Sequence, residues 1–346
     1  MSAPGHGTRS TDGARSGFDE AFGNRRAGMK SVLILGGTGF VGSVLCERLV
    51  QHFGGAGVRI AVPSRRPQRA RHLLTLPTVE LIEADIHDDA QLDRLFAKRD
   101  AVVNLVAILH GSAADFERVH VALPRRLASA CAGTGVQRVV HVSALGASAN
   151  APSHYLRSKA RGEALLKASP LALSVLRPSV MFGAGDRFLN LFARLQRVLP
   201  VLPLAGAHAR MQPVWVDDVA EAIVRCLLDD RTIGKTFECA GPSIYLLADL
   251  ARLAGRWSGH ERPIVPLSPA LARAQAALMR LAPGEPLLSA DNLDSLRVAN
   301  VASGALPGLD ALGIVPTALE AIGPSYLSAG QGPARLNGWR ARAGRG

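Results

Sequence analysis

A glycine-rich turn near the start of the chain, set between an apolar run and a helical pattern, constrains the fold more than any other feature. The apolar run Ser31–Leu35 has the length and composition of a buried β-strand. Beyond the turn, Val41, Leu45 and Leu49 recur at helical spacing. This order is typical of a dinucleotide-binding unit, because the turn brings a pyrophosphate to the unpaired N–H groups of the helix N-terminus.

Three glycines of the turn have distinct roles in such a unit. Gly36 would allow the tight turn, Gly39 would let backbone amides approach the pyrophosphate, and Gly42 would let the helix pack close to the strand. The spacing is G-x-x-G-x-x-G rather than G-x-G-x-x-G, and glycines alone would also fit an ordinary turn. The nucleotide contacts that we predict here are Gly36, Thr38, Gly39, Phe40, Val41 and Gly42.

Strand and helix patterns then alternate along the chain. Five further apolar runs are predicted as strands, at residues 58–62, 79–83, 101–106, 138–143 and 173–177. Helical patterns lie between them, including residues 90–99 and 115–134. The alternation predicts an α/β fold, a Rossmann-type doubly wound parallel sheet, in which ligands bind at the carboxyl ends of the strands.

The composition divides the chain into a core and two ends without apolar periodicity. We expect a disordered leader at residues 1–28, with Met29 as an alternative start of translation, and a disordered basic tail at residues 330–346. The nucleotide-binding core is expected at residues 29–182. Residues 183–329 are expected to add to this core and to form a smaller C-terminal substrate subdomain.

Charge and composition narrow the classes of partner. The net charge of +12 attracts anions in general, but aromatic residues make up only 5% and are not interleaved with the basic ones. A nucleic-acid partner is therefore not predicted. Four scattered cysteines fit reduced thiols in a cytoplasmic protein, and the histidines have no metal-ligand spacing. No run of 18 apolar residues predicts a transmembrane helix, although peripheral contact with the inner face of a membrane stays open.

The end of the second predicted strand bears on the choice of cofactor. Sites for NAD usually place an Asp or Glu there, which holds the ribose 2′-hydroxyl. This chain has Ser64, Arg65 and Arg66 instead. Guanidinium groups bind a 2′-phosphate that an acid would repel, so the sequence favours NADP(H), with NAD(H) as the alternative. A solvated basic loop without a ligand is the other explanation.

Two further loops are expected to complete the nucleotide site. Asp85 and Ile86 follow the third predicted strand and should lie beside the adenine. Leu105, Val106 and Ala107 come at the end of the fourth and should lie beside the adenine ribose. Both expectations follow from the common edge at which parallel strands end.

A serine, a tyrosine and a lysine are the candidates for chemistry. Tyr155 and Lys159 stand at i, i+4 spacing and so share one helix face, while Ser143 ends the fifth predicted strand. A nearby ammonium would lower the pKa of the phenol, which would make Tyr155 a general acid or base for a carbonyl–alcohol pair. Ser143 would orient the carbonyl, and Lys159 could also hold the nicotinamide ribose. A bare Y-x-x-x-K also occurs by chance in helices.

The glycine turn, the serine and the Y-x-x-x-K pair together resemble the short-chain dehydrogenase/reductase superfamily, in its extended or atypical branch. Narrower stretches look like the NADPH-binding accessory subunit of respiratory complex I and its bacterial relatives, at residues 103–109, 142–147, 152–163, 176–183, 214–220 and 238–242. That resemblance implies tight binding of NADPH near a membrane, without known turnover. It also implies that Pro178 closes the nicotinamide end of the pocket, and we group Val180 with it.

Two functions of different class follow, and the sequence leaves both open. The first is an NADP(H)-dependent oxidoreductase acting on a small apolar carbonyl, alcohol or quinone-related substrate. The second is a non-catalytic NADPH-binding accessory or assembly protein related to respiratory complex I. A nucleotide-sugar epimerase or dehydratase is only a minor alternative, because the substrate side has few of the polar groups that would bind a saccharide.

One helical pattern on the substrate side has two interpretations. Residues 267–281 place an apolar set at helical spacing, namely Leu267, Leu271, Ala274, Leu278 and Leu281. We expect this face to be buried as part of a core that caps the domain. The alternative is a lid or membrane-surface helix that admits an apolar substrate such as a quinone or lipid.

Overall fold

A computed structural model describes residues 28–54, 57–279 and 288–328. The predicted tail and nearly all of the predicted leader lie outside the described residues. Seven strands form the central sheet: β1 Ser31–Leu35, β2 Arg59–Ser64, β3 Val79–Glu83, β4 Ala101–Asn104, β5 Arg138–Val142, β6 Ala172–Pro178 and β11 Thr236–Cys239. Three small pairs stand outside it: β7 Met181–Phe182 with β10 Val214–Trp215, β8 Leu202–Leu204 with β13 Ile264–Pro266, and β9 Arg210–Met211 with β12 Tyr245–Leu246.

Helices connect these strands and cover the sheet. In the core they are α1 Phe40–Phe53, α2 Asp89–Phe96, α3 Ala113–Glu117, α4 Leu123–Thr134 and α5 His154–Lys167. After the core come α6 Leu189–Val198, α7 Val216–Leu228, α8 Leu247–Trp257, α9 Pro269–Met279, α10 Ala290–Ser295 and α11 Leu319–Leu327. No helix within the described ranges is both long and apolar enough to cross a lipid bilayer.

The central sheet is wholly parallel, with the strand order β11-β6-β5-β4-β1-β2-β3. This confirms the predicted Rossmann-type doubly wound fold. The chain runs from β1 towards one edge through β2 and β3, and then returns to build the other edge from β4 onwards. The carboxyl ends of β1 and β4 therefore flank the topological switch point, where ligands bind in such sheets.

The strand β11 was not predicted. Its four residues offer little apolar signal, and Glu238 interrupts the run. In the structure Phe237 pairs with Leu176 of β6, and Glu238 accepts hydrogen bonds from the N–H and hydroxyl of Ser303. Tertiary partners that lie far along the chain thus complete a strand that local sequence does not specify.

Two apolar layers cover the two faces of the sheet. The alternation of side chains along β1 places Val32 and Ile34 in the layer under α1 and α7, and it places Leu33 and Leu35 in the layer under α2 and α4. A third apolar cluster joins α6, α8 and α11. The division between the nucleotide-binding core and the C-terminal part at residue 182 stays a prediction. Two elements after it, α7 and β11, belong to the central sheet and its apolar layers.

The predicted helix at residues 115–134 is interrupted. Between α3 and α4 the backbone forms a π turn at Arg118–Ala122. Gly162 of α5 lies very close to the backbone of this turn. A Cβ added at Gly162 would collide with the carbonyl oxygen of His120, so a larger residue would not fit there. The π turn and Gly162 together allow His120 to lie against α5.

The predicted burial of α9 is wrong. Leu271 and Leu278 are 59% and 69% exposed, whereas Ala272 and Ala276 are buried. The small side chains let this helix lie close to the rest of the protein, so the larger leucines on the other face are left in solvent. Leu281 lies outside the described residues.

Candidate functional site

The glycine turn has the geometry that an anion site requires. Gly36 has a φ of +84°, and its carbonyl accepts the N–H of Gly39 at 3.0 Å. A Cβ at Gly42 would collide with the backbone of Gly36 and Gly37, so only glycine permits this close packing of α1. Gly39 is the N-cap of α1 and makes no side-chain capping bond, which leaves the first N–H groups of the helix for a ligand.

A cavity of about 550 Å³ opens at this turn. Its walls combine the turn with the ends of β2 and β3 and the loop after β4. The residues that line it are Gly36, Thr38, Pro63, Ser64, Arg65, Arg66, Arg69, Ala84, Ile86 and Val106. The structure therefore brings together predicted contacts from four separate segments. The sequence analysis did not single out Pro63, Arg69 and Ala84.

Three arginines give this cavity a positive charge. Arg65, Arg66 and Arg69 are exposed, and within the described part of the chain no carboxylate lies at ion-pair distance from them. The backbone N–H of Arg66 donates to Ser64 Oγ at 3.1 Å, which fixes the start of the basic loop. An anionic ligand would find charge-assisted donors here without first displacing a protein carboxylate.

The loop after β3 is shaped by its own side chains. Asp85 accepts the N–H of His87 at 3.0 Å, and the N–H of Asp85 donates to Gln91 Oε1 at 3.0 Å. Asp85 itself does not line the cavity, whereas its neighbour Ile86 does. Asp85 therefore holds the loop that presents Ile86.

The loop after β4 follows the same arrangement. The N–H of Leu105 donates to Leu35 at 2.9 Å, and the N–H of Val106 donates to Asn104 Oδ1 at 3.2 Å. Leu105 lies against Gly36, Val106 lines the cavity, and Ala107 is exposed beyond it.

The three candidate catalytic residues lie around the carboxyl end of β5. Lys159 is buried, and its Nζ donates to the carbonyl of Val142 at 2.7 Å. The next residue, Ser143, has a buried Oγ with no hydrogen-bond partner among the described residues. Tyr155 packs against an apolar cluster that includes Ala144. Lys159 and Ser143 thus lie at the end of β5, and Tyr155 packs in the apolar cluster that follows this strand.

Burial dominates the protonation of this group. It raises the pKa of Tyr155 to about 12 and lowers the pKa of Lys159 to about 8, the latter against the opposing effect of Glu163. The expected lowering of the phenol pKa by the lysine is therefore wrong, because burial raises it. The Lys159 ammonium donates to Val142 instead, and the desolvated phenol stays neutral.

A histidine that the sequence analysis missed lies directly behind Tyr155. His120 Nε2 accepts the N–H of Ile108 at 3.1 Å, so Nδ1 carries the proton and donates to Ser158 Oγ at 2.8 Å. Ser158 Oγ in turn donates to the carbonyl of Tyr155 at 2.8 Å. The rings of His120 and Tyr155 meet edge to face, 5.5 Å apart, and Phe116 completes the aromatic group. His120 lies within the π turn, which no sequence signal marks.

Burial and the nearby Lys159 keep this histidine neutral. Together with His141 they lower the pKa of His120 to about 2, and burial is the largest cause. His120 therefore cannot exchange protons near neutral pH, and its contribution is geometric.

Pro178 and Val180 are the residues that the resemblance places at the nicotinamide end. Pro178 ends β6, and its carbonyl accepts the N–H of Leu145 at 3.0 Å, which joins the loops after β5 and β6. The N–H of Val180 donates to Asn300 Oδ1 at 2.8 Å. Neither residue lines the cavity at the glycine turn. Asn300 had no sequence signal, because its role depends on a contact between distant segments.

Comparison with known proteins identifies the family of the chain. A family model for the NAD dependent epimerase/dehydratase family matches residues 32–240. The mitochondrial NADH dehydrogenase (ubiquinone) 1 alpha subcomplex subunit 9 of Mus musculus is 34% identical over 293 residues, which cover 83% of this chain and 77% of the mouse protein. The mitochondrial NADH-ubiquinone oxidoreductase 40 kDa subunit of Neurospora crassa is 29% identical over 276 residues, covering 79% of this chain and 72% of the fungal one.

A solved structure shows the same fold. The NADPH-dependent quinone oxidoreductase QOR2 of Escherichia coli, complexed with NADPH, has a TM-score of 0.68 and 20% identity, and the match covers 84% of this chain and 97% of that one. At this identity the likeness concerns the fold alone. With the family match over more than half of its length, and with relatives that are subunits of mitochondrial NADH dehydrogenase, the chain belongs to the NAD dependent epimerase/dehydratase family, the extended short-chain dehydrogenases/reductases.

Proposed function

We propose that this protein binds NADP(H) and reduces an apolar carbonyl or quinone-related substrate. The observation that carries the proposal is the basic wall of the nucleotide cavity, where Arg65, Arg66 and Arg69 face no carboxylate of the described chain. The position that usually holds an acid in NAD sites is occupied by Ser64. A 2′-phosphate would supply the negative charge that this wall lacks, and NAD(H) would not.

The residues present fit a dinucleotide. Gly42 allows the close approach of α1, and the first N–H groups of that helix are free of a side-chain cap. Ile86 offers an apolar wall for an adenine and Val106 one for the adenine ribose, and the arginines at the end of β2 line the same cavity. These groups would hold the pyrophosphate, the base and the ribose phosphate respectively.

The bound nucleotide would supply the hydride, and the protein would manage the proton. The buried Oγ of Ser143 has an unused donor that could bond to a substrate oxygen. Because burial raises the pKa of Tyr155 to about 12, its phenol is protonated at neutral pH and can donate a proton to the oxygen of a carbonyl being reduced. Lys159, held by Val142, could bond ribose hydroxyls through its other hydrogens.

The exposed apolar face of α9 supports an apolar substrate. Leu271 and Leu278 present a leucine surface to solvent, and Arg273 is exposed on the same helix. Such a combination suits peripheral contact with an anionic membrane surface, from which a quinone or lipid could be taken. We place the protein in the cytoplasm with such contact at the inner face of the membrane, without nucleic acid as a partner.

A second candidate is a non-catalytic NADPH-binding accessory or assembly protein of a respiratory complex. The mouse and fungal relatives favour it, because both are subunits of a mitochondrial NADH dehydrogenase (ubiquinone). The raised pKa of Tyr155 also permits it, since a phenol without an activating partner can be a structural residue. A nucleotide-sugar epimerase remains the minor alternative within the family.

The first experiment is to denature the purified protein and identify the nucleotide that it releases. Stoichiometric NADPH that survives dialysis would support the 2′-phosphate assignment and the accessory role. Protein that is empty and binds NADPH reversibly would support a reductase, and turnover with quinones and carbonyls should then disappear in Tyr155→Phe. A preference for NADH would contradict the assignment of the arginines.

A further inference from the structure

A short segment of the C-terminal part crosses the carboxyl ends of the core strands. This segment, residues 289–300 and termed the strap below, begins with α10. At one end Asn292 Nδ2 donates to the carbonyl of Leu109, in the loop after β4, at 3.3 Å. At the other end Asn300 Oδ1 accepts the N–H of Val180, after β6. The family match ends at residue 240, so the strap lies outside the part of the chain that it describes.

Between these two anchors the strap holds the N-terminus of α5. The two carboxylate oxygens of Asp291 accept the N–H of His154 at 2.6 Å and the N–H of Tyr155 at 3.0 Å. The next N–H, that of Leu156, donates to the N-cap Ser153 Oγ at 3.2 Å. The first three N–H groups of α5 thus have side-chain partners from two residues. Two of the three bond to Asp291, which lies 136 positions after Tyr155 in the chain.

The contact of Asp291 is strong for a general reason. The first N–H groups of a helix have no partner within it, and the helix dipole concentrates positive charge there. A carboxylate that accepts two such groups makes charge-assisted bonds of fixed direction. From the inner side, Ser158 Oγ holds the carbonyl of Tyr155. Side chains therefore hold both the N–H and the carbonyl of Tyr155, one from the strap and one from the core.

We propose that Asp291 is a positioning residue for Tyr155, which fixes the phenol relative to Ser143 and Lys159 from the strap. Its carboxylate acts through the backbone and does not touch the reacting atoms. The proposal rests on the proposed function in one respect, which is that Tyr155 is the proton donor. A residue of the C-terminal part would then determine the position of the proton donor.

The test compares Asp291→Ala and Asp291→Asn with the unaltered protein by tyrosine NMR and by kinetics. The chain has three tyrosines, so ring labelling gives few signals, and Tyr155→Phe identifies the one from Tyr155. Asp291→Ala should move the Tyr155 signal and lower kcat about tenfold to a hundredfold, with the Kd for NADPH unchanged. Asp291→Asn should fall between, because its single amide oxygen can still accept one of the two N–H groups.

Asp249→Ala is the matched control. Asp249 accepts the N–H of Leu246 at the start of α8, which packs against α6 rather than α5. This variant should leave the Tyr155 signal and kcat in place. An unmoved Tyr155 signal in Asp291→Ala, or an equal effect of Asp249→Ala, would overturn the positioning role. If the unaltered protein turns over no substrate, the proposed function fails, and the NMR signal still decides the role of Asp291.

Discussion

At the scale of single residues, the arginines of the nucleotide cavity give the sharpest prediction. Arg66→Ala removes one guanidinium from the wall, and charge-assisted hydrogen bonds contribute about 1.5–3 kcal/mol each. We expect the Kd for NADPH to rise about tenfold to a hundredfold and the Kd for NADH to stay the same, measured by titration calorimetry. Arg71→Ala is the control, because Arg71 is exposed in the same segment but does not line the cavity. Equal losses for both nucleotides would contradict a 2′-phosphate contact.

The neutral His120 predicts a dependence of stability on pH. Its pKa is lowered to about 2 in the folded protein, against an ordinary value of 6.5. Below pH 6.5 the unfolded chain therefore binds a proton that the folded protein does not, so stability is fully present above pH 6.5 and is lost as the pH falls. The loss is about 1.4 kcal/mol per pH unit for each such group.

His120→Asn isolates that contribution. Asparagine keeps hydrogen-bonding groups at the site but does not titrate, and the buried His141 contributes equally to both proteins. Urea unfolding at pH 6.5 and pH 5.0 should show that the variant loses about 2 kcal/mol less than the unaltered protein over this interval. The same loss in both proteins would mean that His120 is protonated in the fold.

At this scale the sequence predicted most residues of the nucleotide cavity but few of the contacts around Tyr155. The sequence could place Gly36, Arg65 and Arg66 at this cavity because all three lie in turns that directly follow strands. It could not place His120 and Asp291, because each reaches Tyr155 through a fold contact between segments that lie far apart. The protonation of Tyr155 was also missed, since burial is a property of packing.

At the scale of elements, the approach of α5 to the π turn gives a test of packing. Gly162→Ala would place a Cβ against the carbonyl oxygen of His120, and neither backbone can yield without moving a helix. We expect a loss of about 2–4 kcal/mol in the free energy of unfolding, as for overpacked interiors. Gly133→Ala in α4 is the control, because no atom lies within 4 Å of the new Cβ, and it should stabilise by about 0.5–1 kcal/mol.

Elements were predictable where pattern and environment agree. The strand Ser31–Leu35 is buried at every position, and its continuous apolar run predicted its bounds correctly. The buried face of α9 was predicted wrongly, because Ala272 and Ala276 contribute little to a hydrophobic pattern and yet form the packed face. The longer leucines dominated the pattern although packing places them outside. Periodicity shows that a face exists, and only the neighbouring elements decide which face is covered.

At the scale of the whole molecule, the exposed leucines of α9 predict where the protein meets an apolar phase. Leu271 and Leu278 share one side of a helix that presents Arg273, and insertion of each leucine into a bilayer interface would contribute about 1.5–3 kcal/mol. We expect the protein to sediment with anionic vesicles at low salt. Because part of the attraction is electrostatic, binding should weaken as salt increases.

The double variant Leu271→Ser, Leu278→Ser separates membrane contact from charge alone. It leaves the net charge unchanged but removes the apolar surface, so vesicle binding should fall at least tenfold while NADPH binding stays intact. Val315→Ser is the matched control, because Val315 is 88% exposed and lies on another segment. If the double variant binds vesicles as well as the control does, the attraction is electrostatic and α9 is not the contact. The other outcome is that the double variant loses vesicle binding together with turnover of a quinone in vesicles, while it still turns over a soluble analogue. In that case the leucine face delivers the substrate, and the nucleotide cavity and α9 serve a single reaction.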